Sequence, residues 1–438
     1  MSARAFALTT VCVMLLSPNG VIRGQESAST QAAAKPAAAP DFLHQEELTG
    51  DWNGLRTKWK DKGVELESSL TQFYQGIASG GIETGSEYNG TAQAELKFDL
   101  EKLAGWKYWS AEVKAETRFG GPVLTGTGTI SIVNTAAIIP GSDGTVFSVT
   151  AVNFTRLFPI NLKEGKLFGV SFGRYNLLDL IDEDFFAGGG TERFMNIAQI
   201  GPLTVLRQVP LITNAVNLIY IRGGEPFFTF SLMDPNDHST DPGLSDLFAD
   251  GVTFAPAINV PVKYFGKTAK HTFGGAITTK KYTPFDAIRQ IVIPGPPINP
   301  VEPQPGSWST TPSGSTSWKD PQEMGGDSSG NYHLRINPPV RSRRSLTSVL
   351  GGNGLISSRP RDEFGLSYAY TDLSDELKDN LALLPLGGRL QAEHQVEMFY
   401  NLYLTPWLQL TGDLQILRPN RPAADTAVVP AGRLRVVF

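Results

Sequence analysis

Asn89 to Leu100 reads NGTAQAELKFDL, and Tyr108 to Phe119 reads YWSAEVKAETRF. In the first stretch Asn89, Thr91, Gln93, Glu95, Lys97 and Asp99 alternate with Gly90, Ala92, Ala94, Leu96, Phe98 and Leu100. In the second, Tyr108, Ser110, Glu112, Lys114, Glu116 and Arg118 alternate with Trp109, Ala111, Val113, Ala115, Thr117 and Phe119. Successive side chains on a strand point to opposite faces, so each stretch predicts a strand with one charged and one apolar face. Weaker alternation recurs over 363–371, 395–404 and 407–417. Two architectures use such strands. A soluble sandwich turns the apolar face inward and the polar face to water. A membrane barrel turns the apolar face to lipid and the polar face to an aqueous lumen. Strand length favours the barrel, because several stretches run for ten residues or more. That is about what a tilted strand needs to cross a bilayer, whereas soluble strands average about five or six.

The start of the chain agrees. Arg4 precedes the apolar run Ala5 to Leu16, followed by small residues up to Gly24, the pattern of a secretory signal over residues 1–24. The apolar run is too short to span a membrane as a helix. Cys12, the single cysteine, lies inside that signal, so the mature chain is expected to have no disulfide and no cysteine ligand. Residues 25–45 are largely Ala-, Ser-, Gln- and Pro-rich and read as a flexible lead-in, with a barrel over 46–438. The 38 basic and 43 acidic residues, net charge −5, are dispersed, which argues against a nucleic-acid partner. The most apolar mature stretch, Pro202 to Ile221, is interrupted by Arg207, Gln208, Pro210, Asn214 and Asn217 and does not read as a spanning helix.

Several local patterns have competing chemical readings. Gly169-Val170-Ser171-Phe172-Gly173 matches the hydrolase pattern G-x-S-x-G, but that motif needs a strand turning sharply into a helix at the serine. Here the small residues form one face of an alternating strand that continues into Arg174 and Tyr175. His44, His238, His271, His333 and His394 are scattered without metal-ligand spacing. Neither an enzyme nor a cofactor is expected. Trp52, Leu55 and Trp59 fall at helical spacing before Gly63, predicting a short amphipathic helix docked at the periplasmic end, without a ligand role.

Leu48-Thr49-Gly50-Asp51-Trp52-Asn53-Gly54-Leu55-Arg56-Thr57-Lys58 resembles the opening motif of the carbohydrate-selective porin (OprB-type) family. Further matches are Gly173-Arg174-Tyr175-Asn176, Ala187-Gly188-Gly189-Gly190 and Phe194-Met195-Asn196. Gly351 to Ile356, Arg359-Pro360, Phe364 to Tyr370, Leu373 to Leu377 and Leu404 to Leu410 follow in order. The resemblance implies an all-β, transmembrane antiparallel β-barrel of about sixteen strands in the outer membrane of a Gram-negative bacterium. It implies passage of glucose and related small sugars, with a general solute-permeable porin as the alternative. Arg433 and Arg435 alternate with Leu434, Val436 and the terminal Phe438. That ending resembles those that bacterial outer-membrane barrels present to their assembly machinery. Outer-membrane lipid is the second expected partner, and a homo-oligomer is compatible with such a barrel.

For a neutral sugar, the expected selectivity region is Arg118, Arg174, Asp179, Asp182, Glu183, Asp184 and Arg193, with Glu112, Lys114 and Glu116 lining the lumen. The acidic residues precede the flexible Gly188-Gly189-Gly190, in a segment long enough to fold inward and narrow a pore, or to remain an ordinary solvated loop. Ser309 to Pro339 fits none of this. It has no alternation and almost no apolar residue. With about fourteen strand-like stretches elsewhere, two strands are expected to be missing. A shifted reading of its codons gives a strand-like translation, so a frameshifted segment restored near Arg341 is expected there, against a long extracellular loop.

Overall fold

The computed structural model describes residues 41–438 except 123, 142–143, 182–187, 201–207, 265–266, 283–303, 320–330, 338–343 and 383–387. The signal and most of the lead-in lie outside the described residues. The alternating stretches are strands: β3 spans Gly85–Asp99 and β4 spans Trp109–Gly120. Before them come β1 (Val64–Ile77) and the three-residue β2 (Ser79–Gly81). After them come β5 (Val146–Asn161), β6 (Lys166–Asn176), β7 (Ile212–Arg222), β8 (Glu225–Met233), β9 (Thr253–Tyr264) and β10 (Lys267–Tyr282). The series ends with β11 (Gln304–Lys319), β12 (Asn331–Asn337), β13 (Arg344–Asn353), β14 (Glu363–Asp372), β15 (Glu393–Thr405), β16 (Leu408–Arg418) and β17 (Asp425–Val437).

Every pairing is antiparallel, and from β3 to β17 each joins neighbours in sequence, within one seventeen-stranded sheet. β1 pairs with β3 from Val64↔Phe98 to Ile77↔Gly85, and on its other side with β17 from Ser69↔Val437 to Gln75↔Ala431. The pairing order therefore runs from β1 through β3 to β17 and returns to β1, leaving no long strand without two neighbours. Backbone groups are thus satisfied between strands. β11 and β12 occupy the place where two strands were expected to be missing, and pair from Gly314↔Ile336 to Lys319↔Asn331. That expectation is corrected. Strand pairing rests on backbone hydrogen bonds to β10 and β13, which side-chain alternation does not report.

The two faces decide between sandwich and barrel. Glu397 and Gln415 are 0 % exposed and Arg433 is 1 % exposed, whereas Phe147 is 67 % and Ile277 57 % exposed. The sheet's inner side is polar and its outer side apolar, the inverse of a soluble core. On the outside, Phe154 stacks on Phe172 at 5.8 Å, and Trp109 meets Phe172 edge-on at 6.5 Å. Among the described residues no helix is long and apolar enough to cross a membrane. The interrupted stretch before Ile221 becomes β7 from Ile212 onward. Gly169–Gly173 lies within β6, where Ser171 is buried and hydrogen-bonds to Thr155 and Tyr175 rather than standing at a turn.

The sheet has a short-turn end and a long-loop end. β7 and β8 are joined by Gly223-Gly224, and β5 and β6 by 162–165. At the opposite end, connections span 121–145, 177–211, 234–252 and 373–392. The short-turn end also carries helix α1 (Leu55–Asp61), which enters β1 through Gly63. Gly63 has φ +98°, and a Cβ there would lie 2.7 Å from the Asp99 carbonyl oxygen, so this junction requires glycine. The helix buries no residue, with Leu55 41 % exposed.

Candidate functional site: a narrowed lumen

The polar inner face is densest where β3 and β4 pair. Their register sets Gln93 opposite Glu116, Glu95 opposite Lys114 and Lys97 opposite Glu112. Opposite charges on neighbouring strands attract across the pair. Gln93 Nε2 donates to Glu116 Oε1 at 2.6 Å, and Lys97 Nζ lies 3.2 Å from Glu67 and 3.3 Å from Glu95. Lys114 Nζ donates to both oxygens of Asp179, at 2.7 and 2.8 Å, and stands 3.6 Å from Glu116.

Asp179 reaches that wall because the β6–β7 connection folds inward. It begins with helix α2 (Leu177–Ile181), just before which Asn176 Nδ2 donates to Glu116 Oε2 at 3.0 Å. The described parts of this segment meet the equally inward 121–145 segment. Thr135 N donates to the Met195 carbonyl (2.8 Å), and Ile197 N to that of Ile132 (3.0 Å). Ile139, Leu178, Phe194, Ile200, Ile212, Val349 and Phe399 form one apolar cluster beneath them.

The far wall grips both segments. Glu397 on β15 accepts from the backbone N–H groups of Met195 (2.5 Å) and Asn196. Arg433 on β17 donates to the carbonyls of Gly190 (3.0 Å), Arg193 (2.7 Å) and Glu192. Asn401 Nδ2 takes the Glu192 carbonyl as well, at 2.7 Å. Glu393 accepts from Ile130 and Ser131, and Gln415 donates to the Val133 carbonyl at 2.9 Å. Charge-assisted bonds of this kind are roughly twice as strong as neutral ones. The segments are therefore fixed across the lumen rather than hanging in it.

What remains open is a cavity against β1, β3 and β4. Glu67, Gln93, Glu95, Lys97, Lys114 and Glu116 line one side. Asn176, Asp179, Gly188, Thr191 and Glu192 line the other, with Arg435, Glu47 and Arg56 also in the wall. Its charges are opposed: Lys97 to Glu67 and Glu95, Lys114 to Asp179, Arg435 to Glu192 at 2.8 Å, and Arg56 to Glu47 at 4.0 Å. Burial pushes the Asp179 carboxyl above its ordinary value, against the pull of the Lys114 ammonium. Burial disfavours the Arg193 cation, but Glu363 at 3.0 Å, together with Glu192, more than restores it and raises its pKa.

The residues expected from the sequence divide into three groups. Lys114, Glu116 and Asp179 line the cavity; Glu112 is buried on the same face of β4 beside it. Arg118, Arg174 and Arg193 do not line it. Arg118 donates to the Gly144 carbonyl at 2.7 Å and to that of Gly121, holding the β4–β5 connection. Arg174 donates to the carbonyls of His238 and Asp241, holding the β8–β9 connection, and Arg193 pairs with Glu363. Asp182, Glu183 and Asp184 lie outside the described residues. Sequence reading missed Glu67, Gln93, Glu95 and Lys97 as lining, although the strand register of the quoted stretches places three of them opposite Glu112, Lys114 and Glu116. No cluster of His, Cys, Asp and Glu suited to a metal ion occurs among the described residues.

None of the curated proteins compared by sequence matches this chain. The structure of Pseudomonas putida OprB at high pH is similar over 91 % of this chain and 100 % of that one, with 17 % identity and a TM-score of 0.70. The low-pH structure of the same protein is similar over 90 % and 99 %, with 14 % identity and a TM-score of 0.51. At such identities the likeness speaks for the fold alone. Residues 323–438 match the family described as "Carbohydrate-selective porin, OprB family". The resemblance read from the sequence motifs thus stands: the chain has the fold of the Pseudomonas putida porin OprB, and its residues 323–438 carry the pattern of the carbohydrate-selective porins.

Proposed function

We propose that the protein is an outer-membrane barrel of sixteen long strands, the three-residue β2 set aside, through which small uncharged sugars, glucose among them, diffuse passively. The observation that carries the reading is the cavity whose cations each face a carboxylate. A neutral polyol gains nothing from a net field. It needs donors and acceptors that replace its hydration, held so that binding stays weak enough for release. Opposed Lys–carboxylate pairs offer both kinds of group, each cation being offset by a neighbouring carboxylate. A channel of this kind carries solute without chemistry, and nothing in the cavity requires a reaction.

Short turns face the periplasm and long connections the exterior in barrels of this class, which sets α1 on the periplasmic side. The final strand ending in Phe438 suits recognition by the assembly machinery. The apolar exterior supports insertion in lipid. Phe154→Arg is expected to cost about 2–4 kcal/mol near the bilayer midplane. It should lower the fraction of protein that refolds in vesicles to the heat-modifiable form, and an unchanged yield would remove this surface from the hydrocarbon.

Liposome swelling tests the proposed function. Vesicles carrying the protein should swell faster in glucose than in a neutral amino acid of similar size. Equal rates would favour a general solute channel instead.

A further inference from the structure

The segment before β1 does more than cover the short-turn end. Trp407 Nε1 donates to the Phe42 carbonyl at 3.0 Å, and the two rings lie 5.1 Å apart. Leu48 N donates to the Val437 carbonyl at 2.8 Å. Asp51 accepts from both the backbone and the hydroxyl of Thr57, at 2.8 and 2.9 Å, which closes the turn into α1. These contacts hold the segment against the last strand and aim Arg56 inward. The Arg56 guanidinium packs over Trp52 at 5.0 Å and donates through Nη2 to the Leu66 carbonyl at 2.7 Å.

Its other arm is unused. Arg56 Nη1 is enclosed and has no hydrogen-bond acceptor, and it stands 4.0 Å from Glu47 Oε2, beyond hydrogen-bond length. An enclosed polar atom without a partner is costly, and more so on a charged group. The Glu47 side chain is 38 % exposed, so it is free to draw aside. A hydroxyl between them would accept from Arg56 and donate to Glu47, because one hydroxyl serves as both donor and acceptor.

We infer that Arg56 and Glu47 form a second hydroxyl-binding step at the short-turn mouth of the lumen, which a neutral polyol occupies as it leaves the Lys114–Asp179 region. The step rests on the reading of the chain as a sugar channel. It reverses the expectation that the opening motif serves only to dock a helix. A guanidinium suits the task because its second arm stays available while the first is fixed to the backbone.

The test is glucose-dependent reduction of ion current through single channels of the full-length mature protein in planar bilayers. The wild-type protein should show saturable reduction. Arg56→Gln should weaken apparent glucose affinity by about tenfold, as expected for losing one hydrogen bond to a charged group. Arg56→Lys keeps the charge but has one compact head in place of two arms, and should recover only part of the loss. Lys58→Gln makes the same charge change on an exposed residue of the same helix and should leave glucose affinity as it was. Should Arg56→Gln fail to assemble, Glu47→Gln provides the same reading, with weakened affinity expected. Saturable wild-type reduction with unaltered affinity in the Arg56 or Glu47 variants overturns the second step and leaves the sugar channel standing. Absence of saturation in the wild type overturns the sugar-channel reading itself.

Discussion

Arg433→Met is expected to raise single-channel conductance several-fold and to abolish preference for glucose over a similar-sized amino acid. Arg433 is 1 % exposed and donates to three carbonyls of the inward segment, those of Gly190, Glu192 and Arg193. It also donates to the side chains of Asn401 and Thr411 at 3.0 and 3.1 Å. A methionine of similar length fills the space but offers none of these bonds. Each buried carbonyl left without a donor costs about 1–3 kcal/mol. Gly190 and Arg193 lose this donor while Glu192 keeps Asn401, so the stretch 190–193 should come away from β17 and widen the lumen. The strands keep their backbone pairing, so the variant should still run heat-modifiably. Wild-type conductance in an assembled variant would show that Arg433 does not hold the constriction.

Lys114→Met should have the second large effect. The ammonium is the cationic partner of Asp179 and lies 3.6 Å from Glu116. Without it the excess of carboxylates over cations in the cavity grows, and its reversal potential in a potassium chloride gradient should shift further toward cation selectivity. Glucose entry should slow as a donor is lost. Burial already raises the Asp179 carboxyl, and the variant removes the cation that opposes that rise. The selectivity should therefore grow as pH rises and Asp179 ionises. It should shrink at high ionic strength, where the Debye length falls to about 3 Å at 1 M. Unchanged ion selectivity at every pH would mean that the charges of this cavity do not govern permeation.

Much of the wall was legible in the sequence. Alternation marked β3, β4, β14, β15 and β16, because the outer face is apolar and the inner face polar, and that contrast is written into every second residue. The β11 and β12 segments lacked it. Their pairing is visible only through the neighbouring backbones, which no single stretch records. The cavity was legible in part. Lys114, Glu116 and Asp179 were expected there, while Arg118 and Arg174 were expected for the same reason and instead bind loop carbonyls. An inward arginine on an alternating strand has the same sequence signature whether it faces solute or holds a loop. Which it does depends on how the connections fold across the lumen, and that is set by residues up to 282 positions away in the chain.

The anchors of the inward segments also carry a temporal meaning. Glu397 takes Met195 from 202 positions further along the chain, and Arg433 takes Arg193 from 240. The gripped residues come from the first half of the chain, and the residues that grip them from its final three strands. A nascent wall lacking those strands has the connections and their ties to β4 and β14, but not the grip of the last strands on Gly190 to Asn196. Completing the cylinder and setting its bore are thus one event, and a chain truncated before β15 would lose its filter together with its seam.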